Sequence, residues 1–160
     1  MKRLLRGFLL AFVAAGLIAC GPAKKSVYPP TVSIQQLVVL PNGQWRLTVR
    51  IQNNSYGEMD FNSIDGQLQI AALMPIRLHA NFELDVPPLN GDVIDLDVLP
   101  TDPMTVALHA IAGKGSAGSL GYRVNGSASA KPEQEKQPRD FDFSGNDWLS
   151  PVPGIPNTYR

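Results

Sequence analysis

An all-β fold of two antiparallel sheets, with about seven strands and one short helix, is what the residues predict. Three observations carry it. From residue 31 onward apolar and polar side chains alternate with a period of two, the pattern of a strand with one face in a core and the other in water. Proline, glycine and asparagine cut that alternation into short segments. The whole chain has 160 residues, 44% of them hydrophobic and 18% charged. That is the composition of one globular domain, and it excludes two large domains or a mainly disordered chain.

The elements follow in order. Val32 and Ile34 share one parity and Leu37 and Val39 the other, so a bulge near Gln35 and Gln36 is expected to carry the first strand from one sheet to its partner. Pro41-Asn42-Gly43 turns the chain, since asparagine and glycine tolerate positive φ. Trp45, Leu47, Val49 and Ile51 then alternate with Arg46, Thr48, Arg50 and Gln52 in the clearest strand of the chain. Ile64, Leu68 and Ile70 mark a third strand, interrupted by Gly66, which reads as a bulge or as a close approach of two backbones. Ile76, Leu78, Ala80, Phe82 and Leu84 make the fourth, and Pro87-Pro88 and Asn90-Gly91 close it. Ile94, Leu96 and Val98, separated by Asp95 and Asp97, make the fifth.

One stretch leaves the strand period. Met104, Ala107, Leu108 and Ile111 recur at helical spacing, with Thr101 placed to cap, Pro103 in the first turn and Gly113 at the end. This short helix is expected to plug the sandwich, and Gly113 to Gly121 to be a flexible connector. Leu120, Tyr122 and Val124 form a sixth strand, Lys131 to Arg139 a solvated hairpin loop, and Phe141 with Phe143 the last strand. After Gly145 the tail holds Trp148 and three prolines without any period, and is expected to lie along the surface or to fray. Trp148 is expected to fold back over the end of the core. About seven strands in about 115 residues is the spacing of an Ig-like sandwich.

Ahead of this domain, Lys2, Arg3 and Arg6 precede a run without charge from residue 7 to residue 19. As a helix that run would measure about 20 Å against a hydrocarbon core of roughly 30 Å, so it reads as a secretory signal rather than a permanent span. It ends in Leu17-Ile18-Ala19-Cys20, which resembles the bacterial lipobox, and Cys20 is the only cysteine of the chain. The resemblance implies that Cys20 is the lipidation site: its thiolate takes a diacylglycerol, and cleavage before it frees an amine for a further acyl chain. At about 0.8 kcal/mol per buried methylene, two or three chains hold effectively permanently. The expected organisation is a lipoprotein signal peptide over residues 1–19, a lipidated cysteine and linker over 20–30, the sandwich over 31–145 and a proline-rich tail over 146–160. In the lipoprotein sorting rule an aspartate after the cysteine retains the protein at the inner membrane. Gly21 stands there instead, which implies the outer membrane, with the domain facing the periplasm. As an extended linker, residues 21–30 would hold the domain roughly 30 Å from the lipid.

Charge and motifs exclude more than they assign. Fourteen basic residues balance fourteen acidic ones, and loss of residues 1–19 removes three of the basic and none of the acidic, leaving a net charge of −3. A chain without a positive field is not a nucleic-acid binder. One cysteine closes no internal disulfide, and two histidines without a second thiol build no typical zinc site. His79 lies on the polar phase of its strand and His109 opposite the apolar stripe of the helix. With no G-x-S-x-G elbow, no H-E-x-x-H pair and no thiol to activate, no catalytic, cofactor or metal residue is assigned, and the chain reads as no enzyme. Asp92, Asp95, Asp97 and Asp102 are the densest acidic group, but they lack the spacing of a calcium loop and read as the wet face of a strand guarding an edge.

The order of segments resembles the water-stress and hypersensitive-response domain of the type-2 late embryogenesis abundant proteins, over Val32 to about Pro153. The resemblance rests on residues 45–51 running into Asn53-Asn54, on the strand from Ile64 to Ile70, on Val86-Pro87-Pro88 before the acidic strand, on Tyr122-Arg123-Val124-Asn125-Gly126, and on Phe141 to Gly145 as the closing strand. Asn54 departs from the usual proline. The resemblance implies a fibronectin III-like sandwich without catalytic residues, linked to desiccation, cold or osmotic tolerance; as a protectant the chain is expected to act through weak contacts of its polar strand faces with protein or lipid. Two other readings stand beside it: a periplasmic binding module that holds an apolar molecule between its sheets, and a scaffold lipoprotein that docks on an envelope assembly through a strand edge or the tail.

Overall fold

The computed structural model describes residues 23–160, so Cys20 and the apolar run before it lie outside the described residues. Two four-stranded antiparallel sheets face each other. The first has the order β5-β2-β1-β8, from Gly91–Val98, Trp45–Gln52, Thr31–Val39 and Thr158–Tyr159. The second has the order β4-β3-β6-β7, from Ile76–Val86, Met59–Ile70, Leu120–Pro132 and Arg139–Leu149. With β8 set aside, β5-β2-β1 against β4-β3-β6-β7 is an Ig- or fibronectin III-like sandwich.

Each strand buries one face, as the period of two requires. Trp45, Leu47, Val49 and Ile51 of β2 are fully buried against Phe61, Ile64 and Leu68 of β3 and Val124, Ala128 and Phe141 of the facing sheet's other strands, all members of one core. In β1 the register slips between Ile34 and Gln36. The bulge is therefore where the change of parity places it, and one extra residue lets Val32, Ile34 and Leu37 all face inward. The strand does not change sheets, because both halves pair with β2. The bulge absorbs the phase change locally.

β3 begins at Met59, earlier than expected, because a second slip between Phe61 and Ser63 hides the continuity of Met59 and Phe61 with Ile64. Gly66 is not at that slip. It faces Gly126 of β6 at a point where a Cβ on Gly66 would come within 2.5 Å of the Asn125 carbonyl, so close backbone approach is the reason for the glycine.

The helix α1 spans Asp102–Ala112 and buries Met104, Leu108 and Ile111, with Pro103 in its first turn and Gly113 at its C-terminal cap. Thr101 occupies the N-cap position in extended conformation but makes no side-chain cap bond. A 3-10 turn, Gly115–Ala117, follows inside the connector.

The tail neither frays nor lies loose. β7 runs on to Leu149, and β8 adds to the free side of β1 through Leu37 with Tyr159 and Val38 with Thr158. Ser150 and Arg160 exchange backbone hydrogen bonds at 2.7 and 2.9 Å. Residues 151–157 turn the chain through positive φ at Gly154 and Asn157, so a strand of two residues shows no periodicity to read. Tyr159 is buried in the core.

Registers sort the loops into two ends. Residues 53–58, 87–90 and 133–138 gather at the end where residue 30 enters β1. The turns at 40–44 and 71–75, α1 and residues 150–157 lie at the other. β3, with its 12 residues, spans the distance between them, about 40 Å.

Candidate functional site

Of the aspartates that cluster in the sequence, Asp95 and Asp97 share one exposed face of β5, and each has a partner on β2. Asp97 takes a two-pronged bond from Arg46, Nε and Nη2 each 2.8 Å from a carboxylate oxygen. Asp95 accepts from Thr48 Oγ1 at 2.8 Å. Both pairs lie across the β2–β5 ladder, on an outward face of an edge strand. The Arg46 guanidinium holds the Asp97 carboxyl below the usual carboxylate range.

A different acidic group forms at the end where the chain enters. Glu58, Asp60 and Asp85 bring one carboxylate oxygen each within 4.8 Å of one another. No spacing signals it, since Asp60 and Asp85 meet only through the β3–β4 register. Lys131 Nζ bonds Asp60 at 2.6 Å and occupies part of the space a cation would need.

His79 and His109 are both exposed. His79 Nδ1 lies 3.0 Å from Asp65, and Arg77 bonds the same carboxylate oxygen. Arg77 first, and then His79, lowers the Asp65 pKa. On the register His79 faces Asp65 and Asp65 faces Ser127. The carboxylate therefore sits between the imidazole and the hydroxyl, whereas a nucleophile is activated only when the imidazole is the middle member.

Trp148 is the clearest exposed feature. It lies in β7 opposite Gly121 of β6, 65% exposed, and does not cover the core as expected. Its place on the outward phase of β7 turns it to solvent, and the space left by Gly121 lets the indole rest there: a Cβ on Gly121 would touch it at 3.4 Å. Gln69, Arg123, Asn146 and Asp147 complete an open cleft of about 360 Å³ beside it. The cleft opens onto the outward face of the second sheet, where Gln67, Asn125 and Ser144 stand in one cross-strand row and Gln69, Arg123 and Asn146 in the next. Planar amides and hydroxyls in rows offer paired donors and acceptors to whatever lies on them.

Buried polar residues hold the loops. Asn53, fully buried, donates from Nδ2 to the carbonyls of Gly57, Val86 and Pro87 at 2.9 to 3.1 Å, and its Oδ1 accepts from Ser55 N–H at 2.8 Å. Asn54 donates to the Pro29 carbonyl and Thr31 Oγ1. Trp45 and Tyr122 are core aromatics, as their strand phase requires.

Cys20, the expected lipidation residue, lies outside the described residues, and from Lys25 onward the chain does not behave as a spacer. Ser26 accepts from Tyr56 N–H at 3.0 Å, Tyr28 N–H bonds Ser55 Oγ at 2.9 Å, and Lys25 pairs with Glu133 at 2.6 Å. Val27 packs on the core and Pro30 is buried. The roughly 30 Å reach expected of an extended linker is lost because these residues fold onto the domain.

No family model matches the chain, and no curated protein matches it. Three solved structures, each a small β-rich domain, are similar. The X-ray structure of Northeast Structural Genomics Consortium target SoR45 is 11% identical, covers 81% of this chain and 92% of its own, and has a TM-score of 0.48. The solution structure of AT1g01470 from Arabidopsis thaliana is 9% identical, covers 87% and 88%, and has a TM-score of 0.45. A crystal structure of a protein from Archaeoglobus fulgidus is 9% identical, covers 79% and 100%, and has a TM-score of 0.39.

Proposed function

We propose that the chain is a non-enzymatic envelope lipoprotein, anchored in the outer membrane through Cys20, whose type-2 late embryogenesis abundant-like domain preserves the envelope under desiccation or osmotic stress. The observation that carries the reading is the position of the only cysteine at the end of the uncharged run. The order of strands supports it, as does the outward face of the second sheet, with its rows of amides and hydroxyls. As water is withdrawn, such a face replaces lost hydrogen bonds on neighbouring proteins and head groups through many weak contacts.

Deletion of the gene, complemented by the native chain or by Cys20→Ser, tests this. Survival of drying or osmotic shock is expected to fall on deletion and to recover with the native chain only. Unchanged survival on deletion ends the stress reading, and a Cys20→Ser protein that stays as firmly attached to membranes ends the anchor.

A scaffold role is the second reading, favoured by the exposed Met74, Leu99, Trp148 and Ile155 at the end away from the chain entry. Crosslinking in cells from that end would then yield one dominant partner.

A further inference from the structure

We infer that the chain-entry end of the sandwich seats directly on the bilayer, with Tyr28, Tyr56 and Leu89 in the headgroup layer. The inference rests on the lipid anchor at Cys20 proposed above and adds an orientation to it. Cys20 and Lys25 are five residue steps apart, which at full extension span at most about 18 Å. From Lys25 onward the chain is bonded to the domain, through Gln134 Oε1, Glu133, Tyr56 and Ser55. A polar interfacial layer about 5–8 Å thick covers the hydrocarbon on each side. An anchor with so short a reach keeps this end of the domain beside the head groups.

The surface it presents there suits them. Tyr28 and Tyr56 are 47% and 58% exposed, with ring centroids 6.3 Å apart in an edge-to-face pair. Leu89 stands beside them, 58% exposed, its N–H bonded to the Ser55 carbonyl, at positive φ on the turn after the exposed Pro87 and Pro88. Tyrosine carries an apolar ring and a polar tip, the chemistry enriched at membrane interfaces. Among the surrounding charges Lys25 pairs with Glu133, Lys131 with Asp60 and Arg139 with Glu135, while Glu58 and Asp85 make no ion pair among the described residues. Seating therefore depends on the aromatic and leucine side chains, and salt, which screens the Glu58 and Asp85 carboxylates from anionic head groups, does not weaken it.

The test uses the acylated full chain in vesicles of phosphatidylethanolamine and phosphatidylglycerol. Acylation consumes the Cys20 thiol, so Leu89→Cys or Met74→Cys gives a single thiol for a nitroxide label. The label at 89 is expected to lose accessibility to a water-soluble nickel complex several-fold relative to the same variant made soluble by Cys20→Ser, while the label at 74, at the far end, is expected to stay unchanged. Replacing Tyr28 and Tyr56 with serine is expected to restore the accessibility at 89 with acylation intact. Equal accessibility at 89 in both forms, protection at 74 instead, or protection at 89 that survives the serine pair overturns the seating while the anchor stands. Mass spectrometry reads the anchor separately: a Cys20 without acyl chains overturns the lipoprotein reading, and the seating with it.

Discussion

The Tyr122 hydroxyl is bonded to both backbone groups of Ile34: the Ile34 N–H donates to it at 2.9 Å, and it donates to the Ile34 carbonyl at 3.3 Å. This ties β6 in one sheet to the bulge of β1 in the other. A bulge leaves ladder groups unpaired, and here a buried phenol from across the core takes them up. Burial pushes the phenol pKa up.

Tyr122→Phe removes that hydroxyl and leaves the Ile34 groups without a partner. A loss of about 1–3 kcal/mol is expected, the cost of orphaned buried polar groups. Urea unfolding of the described domain checks it, with the midpoint falling and the slope unchanged.

Asn53→Ala strips the carbonyls of Gly57, Val86 and Pro87 of their donor and Ser55 N–H of its acceptor. Stability is expected to drop by about 2 kcal/mol or more. Hydrogen exchange should speed up first in residues 53–58 and 87–90, the two loops it joins.

Gly126→Ala places a methyl group against the Asp65 carbonyl and the Gly66 Cα. The strands must part, at a cost of about 1–3 kcal/mol. Gly43→Ala in the exposed β1–β2 turn, where φ is +82° but nothing lies within 4 Å, is the control: it is strained by its backbone alone, so thermal melts of the two separate crowding from conformation.

The Arg46–Asp97 pair sets a pH dependence. The folded pKa of Asp97 lies below its unfolded value of about 3.9, so the pair's stabilisation is fully present above the unfolded pKa and is lost as pH falls through the folded one. Arg46→Gln is therefore expected to be less stable than the native chain at pH 7, with the gap closing toward pH 3 and below. The pair is exposed, so the gap is small and shrinks with salt. A gap that stays constant from pH 7 to pH 2 refutes this origin.

The two tryptophans report separately. Trp45 is fully buried and Trp148 is 65% exposed. Trp148→Phe is expected to leave a blue-shifted emission that acrylamide barely quenches, whereas the native chain shows a second, readily quenched component. Equal quenching of both proteins would place Trp148 inside.

Much of the architecture was legible because burial on one face writes itself as alternation. Trp45 to Ile51, Ile76 to Leu84 and the helix stripe Met104, Leu108 and Ile111 stand where the period puts them. What escaped was long-range. Thr158 and Tyr159 form too short a strand for any period, and only pairing with β1 defines it. The slip at Asn62 breaks the phase of β3, so Met59 and Phe61 look detached from Ile64. The site features needed the registers too. Trp148 faces out because Gly121 is its partner, and Tyr28 joins Tyr56 because residues 25–30 fold back on the domain, where composition alone reads as linker.

The outermost strands of the two sheets are β5, β8, β4 and β7. β5 carries Asp92, Asp95 and Asp97, β4 carries Arg77, Glu83 and Asp85, β7 carries Asp140, Asp142 and Asp147, and β8 is two residues long. Charge or brevity at every rim denies an incoming chain a template. Copies crowded together therefore meet no open, uncharged strand on which a sheet of one could extend into a sheet of the next.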